Sequence, residues 1–177
     1  MYIFSKKQRR CLILGAPDTL GKLCTSTDQM EVDDFIKCVY VADASNVAGE
    51  FYHLGENNPK YIKLTTKTTT NADTNESTTT VENEGIVDFP ELPTSPSYTA
   101  CGYFYFIKAE KGMLIADRAI QYAISWEALN KKDYIYGGVS DGLLHSDEDT
   151  GYLVIKDGKV LADDDPEAVS ARAAVSN

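Results

Sequence analysis

Gly15-Ala16-Pro17-Asp18-Thr19-Leu20-Gly21-Lys22, directly behind the strand-like run Cys11–Leu14, comes nearest in composition to a phosphate-binding loop. Such a loop places four residues between its first Gly and the Gly-Lys pair, so that successive backbone N–H groups wrap the phosphates. It then needs Ser or Thr after the Lys to hold magnesium. Here five residues intervene, Leu23 follows the Lys, and Pro17 has no N–H to donate. Nucleotide binding is therefore not expected, and the segment reads as a Pro-Asp turn between strands.

Two acidic runs, Asp147-Glu148-Asp149-Thr150-Gly151 and Asp163-Asp164-Asp165, offer oxygen ligands of the kind calcium takes, but neither has the alternating spacing and distal Glu of an EF-hand loop. They read as solvated turns. His53 and His145 are the only histidines, neither stands at a metal-ligating or nucleophile-activating spacing, and no Gly-x-Ser-x-Gly elbow supports a Ser-His-Asp site. Cys11, Cys24, Cys38 and Cys101 lack paired C-x-x-C spacing, and Cys11 and Cys38 lie in apolar runs where a thiol behaves as a small hydrophobe. Free cysteines made in a reducing cytoplasm are expected, so the sequon Asn75-Glu76-Ser77 reads as a chance match. No enzyme activity, cofactor or metal is expected.

The net charge of −10 excludes broad binding to nucleic-acid phosphates, which requires a concentrated basic face. Lys6, Lys7, Arg9 and Arg10 stand near the N-terminus while Asp147 to Glu167 carry the acidic excess, a polarity that suits head-to-tail attraction between copies. No apolar stretch reaches the length of a membrane span, and the N-terminal residues do not read as a signal peptide. At 177 residues and 43% apolar, the chain is long enough for one well-buried core.

The elements that must position these residues are mostly strands. Phe35–Val41 is β-branched and aromatic and reads as a central strand; Arg10–Leu14 and Gly102–Ile107 read as further strands. Tyr61–Thr66 and Thr79–Glu82 flank the polar Asn71–Asn75, which predicts a long hairpin with a solvated tip. Gly151–Ile155 and Lys159–Leu161 are joined through Lys156-Asp157-Gly158, where Asp-Gly supplies the positive φ of a tight turn. Helix is expected in a turn or two at Asp43–Phe51 and from Pro166 onward, where Pro stands at a legal first position. The fold class is mainly β, a sandwich or barrel-like architecture with short helical turns and a Thr-rich hairpin arm. Pro90, Pro93 and Pro96 predict a stiff extended connector dividing an N-terminal unit, 1–89, from a C-terminal unit, 98–177, unless the two form one continuous domain.

Thr65–Thr80 contains nine threonines and almost no apolar side chain. Such a segment buries too little to order itself, but β-branched polar strands are ordered by pairing along their edges. Thr66, Thr68, Thr70, Thr78 and Thr80 are the candidate partner-contact residues. Tyr103, Tyr105, Tyr122, Tyr134, Tyr136 and Tyr152 are concentrated in the second half, where tyrosines suit protein interfaces or stacking on sugar rings.

Ile120, Tyr122 and Ile124 alternate with Ala119, Gln121 and Ala123, which predicts a strand. Ser125 then caps a helical turn Trp126–Asn130 with Glu127 in its first turn, and Tyr134–Gly138 follows as a second short strand. Ser125, Trp126, Leu129 and Asn130 form a candidate structural corner, with the single Trp filling the core. The pattern Ile124-Ser125-Trp126, Leu129-Asn130 and Tyr134-Ile135-Tyr136-Gly137 resembles a segment of tailed-bacteriophage virion structural proteins, those of the tail and its adhesion components especially. Lys131-Lys132-Asp133 departs from the small residue and Gly that often follow the Asn in that pattern. The resemblance implies a non-enzymatic structural subunit of a phage or phage-like virion, tail-associated, made in the host cytoplasm and located in the virion. Its implied partners are other copies of itself and other virion proteins, not nucleic acid or membrane. The alternative expectation is a carbohydrate-binding β-sandwich that attaches to a host-surface glycan.

Overall fold

The computed structural model describes residues 2–4, 11–13, 21–95, 98–99, 101–135 and 151–176. In chain order the strands are β1 (Tyr2–Phe4), β2 (Cys11–Ile13), β3 (Leu23–Cys24), β4 (Phe35–Val41), β5 (Glu50–Tyr52) and β6 (Lys60–Thr70). There follow β7 (Ser77–Asp88), β8 (Cys101–Glu110), β9 (Met113–Ala116), β10 (Leu153–Lys156) and β11 (Lys159–Val160). The helices are α1 (Trp126–Lys131) and α2 (Pro166–Val175), with a 3₁₀ turn at Thr27–Gln29. The architecture is mainly β, as expected. Its sheets are open, so no barrel closes among the described residues.

The chain forms two compact units that are interleaved in sequence. One comprises Met1–Pro59 and Pro90–His145, the other Lys60–Phe89 and Ser146–Asn177. The expected division at the proline connector, 1–89 against 98–177, is not the one formed. The reason is a long-range pairing: β10 lies parallel to β6, Leu153 opposite Tyr61 and Lys156 opposite Leu64, so the hairpin completes its core with the C-terminal segment rather than with its sequence neighbours.

In the first unit β4 is central. It pairs antiparallel with β8 over its full length, parallel with β3 at its start and antiparallel with β5 at its end, while β9 lies on the far side of β8. Alternation turns Cys38 and Tyr40 to one face, where they pack with Ala42, Leu92 and Phe104, with Phe51 and Phe106 set against them. Phe51 lies 5.0 Å from the Tyr40 ring and 6.2 Å from Phe104. β1 and β2 pair antiparallel as a separate two-stranded sheet.

Four expectations fail in this unit. The Pro-rich run is not a free connector: Leu92 is buried, and Glu91 bridges Tyr103, with Leu92 N donating to Tyr103 O at 2.8 Å and Tyr103 N to Pro90 O at 2.9 Å. Gly102 permits this approach, since a Cβ there would stand 2.5 Å from the Pro90 carbonyl oxygen. Asp43–Phe51 forms no helix but a turn followed by β5. Ile120–Ile124 is not a strand; Ala123 has φ +56°, which breaks any extended run, and Tyr134 and Ile135 lie in a turn rather than a strand. Tyr136, Gly137 and Gly138 lie outside the described residues.

In the second unit the sheet order is β11-β10-β6-β7. Ile62, Leu64 and Val154 on one face are covered by Ala168 and Ala171 of α2. Asp165 caps α2 by accepting from Glu167 N at 2.8 Å, and Pro166 opens it, as expected. Asp157 and Gly158, with φ of +49° and +85°, join β10 to β11 in the tight turn their sequence predicts.

Candidate assembly interface

The hairpin β6–β7 outruns the sheet that supports it. β10 ends at Lys156, opposite Leu64, whereas β6 continues to Thr70 and pairs with β7 as far as Thr70–Ser77. A β-bulge between Lys63 and Leu64 marks the departure: Gly85 opposite Lys63 has φ +81°, and the Asn83 side chain accepts from Gly85 N at 2.9 Å. A bulge at this point increases local twist and re-aims the strand. At the tip, Asn71 N donates to Glu76 O at 2.8 Å, Asn75 N to Asn71 O at 2.9 Å and Asp73 N to the Asn71 side chain at 2.9 Å. The expected hairpin with a polar tip is thus formed, and every residue from Lys67 to Asn83 is exposed.

Asp157 anchors the base of the arm. Its carboxylate accepts from Thr66 N at 3.0 Å and from the Thr66 hydroxyl at 2.5 Å, while Asp157 N donates to Leu64 O at 3.2 Å. These bonds hold the Asp157 carboxyl below its ordinary range, the Thr66 hydroxyl bond being the largest cause. Sequence reasoning read Asp157 only as a turn residue; its second role depends on the parallel pairing of β10 with β6, which no local pattern reveals.

The five candidate threonines do not share one face. Thr66, Thr68 and Thr70 stand opposite Val81, Thr79 and Ser77 and continue the α2-covered side of the sheet. Thr78 and Thr80 stand opposite Thr69 and Lys67 on the other side. On the first face Thr68 and Thr79 hydroxyls lie 3.4 Å apart, and Thr70 Oγ1 lies 2.9 Å from Ser77 Oγ. On the second, Lys63 pairs with Glu84 at 2.8 Å, Thr65 donates to Glu84, and Lys67 lies 4.0 Å from Glu82.

The corner residues meet the expectation only in part. Ser125 caps α1, its hydroxyl accepting from Ala128 N at 3.2 Å, and Ser125 N donates to the Asn46 side chain at 2.7 Å. Leu129 O accepts from Tyr134 N at 3.1 Å and Asn130 O from Asp133 N at 3.0 Å, closing the turn after the helix. Trp126, however, is 51% exposed and is not a core anchor. The residue that ties this segment down is Gln121, which sequence reasoning placed on the minor face of a strand. Its Oε1 accepts from the buried Tyr40 hydroxyl at 2.5 Å and Gly49 N at 3.2 Å, and its Nε2 donates to Val47 O at 2.8 Å and Ala44 O at 3.3 Å.

Among the described residues, the buried polar clusters are engaged in holding the fold. The buried Asp34 carboxylate accepts from Glu31 N at 2.8 Å and Lys22 N at 2.9 Å, with the Cys24 thiol 3.6 Å away. Burial acts to raise its pKa, but these donors together hold it below the ordinary value. Asp117 accepts from Tyr105 N at 3.2 Å and pairs with Arg118 at 2.6 Å, and Arg118 also reaches Glu91 at 2.5 Å and the Leu92 carbonyl. In the second unit Asp163 pairs with Arg172 at 2.6 Å and Asp165 caps the helix, so both are engaged with α2. Burial pushes the Cys38 and Cys101 thiols each up to about 12, and Cys24, Cys38 and Cys101 are unbonded. Among the described residues no three His, Cys, Asp or Glu side chains come together as a metal site. Gly15–Leu20, His145 and Asp147–Thr150 lie outside the described residues.

The tyrosines are distributed rather than gathered. Tyr103 and Tyr105, 5.9 Å apart, are half-buried on β8, with the Lys37 ammonium 4.2 Å from the Tyr103 ring centre. Tyr134 donates to Gly49 O at 2.9 Å, Tyr122 is exposed with its ring 5.8 Å from Tyr98, and Tyr152 belongs to the other unit. No protein-family model, curated protein or solved structure matches the chain.

Proposed function

We propose that the chain is a non-enzymatic structural subunit of a phage or phage-like virion, tail-associated, that acts by joining subunits through the β6–β7 arm. The observation that carries this reading is the arm itself: two long polar strands extend past their supporting sheet, and β7 has no further strand beside it among the described residues. An edge of this length is ordinarily shielded by charge, proline or a covering element. Ser77–Val81 contains neither a charged residue nor a proline. Strand addition at such an edge gains main-chain hydrogen bonds without requiring a side-chain pocket. The phage setting rests on the Ile124–Gly137 resemblance.

Replacing Thr68–Thr79 with Asn-Gly tests the reading, because it closes the hairpin on the pair Lys67–Thr80 with a two-residue turn and leaves the α2-covered core intact. The expected result is an unchanged β circular-dichroism signal with loss of incorporation into particles. Unchanged incorporation would show that the arm is only a solvated loop. A second reading, attachment to a host-surface glycan, is favoured by the exposed rings of Tyr122 and Trp126, 54% and 51% accessible, whose apolar faces suit sugar stacking.

A further inference from the structure

We infer that the occupant of the arm's open edge is a second copy of the chain, added head to tail, so that β7 of one subunit pairs antiparallel with the distal part of β6 of the next. This rests on the assembly reading above and specifies its partner. The first argument is which backbone groups face outward. Thr66 N reaches away from β7 to Asp157, whereas Asn71 N bonds inward to Glu76 O. Because N–H and C=O direction alternates along an antiparallel pair, Thr68 and Thr70 present theirs to the outer edge of β6, and their opposite residues Thr79 and Ser77 present theirs to the outer edge of β7. The arm therefore carries two complementary open edges over the same stretch. Asp157 closes the β6 edge at Thr66, which confines a neighbour to the distal half.

The second argument is charge. β6 carries Lys60, Lys63 and Lys67 and no acid; β7 carries Glu82, Glu84 and Asp88 and no base. Head-to-tail addition brings the open distal end of β6, which carries Lys67 and no acid, against the uncharged Ser77–Val81 stretch of β7, so no like charges meet across the contact. If Thr79 pairs with the partner's Thr68 and Ser77 with its Thr70, the register of the hairpin is repeated and the contact stays within the stretch that Asp157 leaves open, with Lys67 facing the uncharged Thr80. Pairing β7 with β7 about Thr79 would instead set Glu82 opposite Glu76 at both ends of the contact, which like charge opposes. Head-to-tail contact is heterologous and builds rings or filaments rather than closed pairs.

The outward N–H groups supply the test, because proline at such a position removes an edge donor without breaking a hairpin bond. Thr68→Pro disables the β6 edge and Thr79→Pro the β7 edge; Thr68→Ala and Thr79→Ala retain the N–H. Self-association of the full chain is followed by sedimentation velocity over a concentration series, with circular dichroism to verify folding. Each Pro variant alone is expected to associate at least roughly tenfold more weakly than wild type, equivalent to about 1.4 kcal/mol. An equimolar mixture is expected to recover a heterodimer and nothing larger, because only one competent edge remains on each. Thr70→Pro and Ser77→Pro repeat the test nearer the tip if the first pair loses its β signal.

Wild-type association by Thr68→Pro alone would show β7-to-β7 pairing and overturn the head-to-tail inference while leaving the assembly reading intact. Absence of any self-association in the wild type would also overturn it; the assembly reading would then stand or fall on particle incorporation of the arm-replaced chain. Failure of the mixture to recover a heterodimer would overturn it as well.

Discussion

Gln121→Ala offers a sharp test of how the segment after β9 is held. In the wild type the Tyr40 hydroxyl, on a residue only 2% exposed, donates to Gln121 Oε1 and accepts from Gly49 N at 2.8 Å, and the amide nitrogen of Gln121 spans the Ala44 and Val47 carbonyls. Truncation removes the acceptor of a buried hydroxyl, worth about 1–3 kcal/mol, and two weaker amide bonds at about 0.5–1.5 kcal/mol each before relaxation. A net loss of about 2–4 kcal/mol is expected by urea denaturation with the m-value unchanged. Gln121→Glu keeps the acceptor but turns a carboxylate oxygen toward two carbonyls. Its deficit should shrink as pH falls and the carboxyl protonates, because a group whose folded pKa is raised stabilises the fold in its protonated form. A loss below about 0.5 kcal/mol in Gln121→Ala, the range of an exposed surface position, would refute the clamp.

Two further outcomes follow from other sites. Asp34→Asn should cost about 1–3 kcal/mol at neutral pH, since one of two backbone donors then faces an amide N–H. Because the Asp34 carboxyl is held below its ordinary value, that contribution is fully present above the unfolded pKa of about 4 and is lost as pH falls through the folded value. Denaturation at a series of pH values should therefore show the gap to wild type closing below about pH 4, and a gap that stays constant to pH 2 would count against it. Trp126→Ala should cost less than about 2 kcal/mol, below the 3–5 kcal/mol of an emptied core site, because half the ring is already in solvent. The same variant read on immobilised glycans tests the attachment reading: unaltered binding would exclude Trp126 from it.

The elements that were legible in the sequence are those whose cause is local. Phe35–Val41 matches β4 residue for residue because a β-branched and aromatic run between polar breaks has few other uses. Asp157-Gly158 and Pro166 carry their conformations in their own side chains, and the Thr-rich hairpin follows from strand propensity on both sides of a polar tip. What failed was non-local. The alternation at Ile120–Ile124 is present in the sequence, but the bonds of Gln121 to the 44–49 loop hold the segment off any sheet, and Ala123 takes a left-handed φ that residue type does not announce. The proline run looked like a spacer because a bridge to Tyr103 depends on a strand that begins nine residues after the last residue of that bridge, Leu92. The interleaving of the two units hinges on one parallel pairing between segments some ninety residues apart.

A physical division of labour follows from where the polar groups go. Asp34, Asp117, Arg118 and Gln121 are the residue types from which sites are made, yet each is committed to backbone groups or ion pairs within the first unit. Such bonds contribute most when complete and cost most when broken, so residues held this way are poorly placed to exchange partners with a ligand. On the arm the situation is reversed. Side-chain contacts between Thr68 and Thr79 or Thr70 and Ser77 are neutral and exposed, adding little alone, while the outward N–H and C=O groups of the same residues face solvent and can exchange water for another strand at small cost. On the proposed assembly reading, interaction is therefore carried by the main-chain edges of the arm rather than by a side-chain constellation among the described residues. A main-chain edge recognises extended backbone of any sequence, so under the proposed head-to-tail pairing selectivity falls to charge, the opposition of Glu82 and Glu76 working against β7-to-β7 contact.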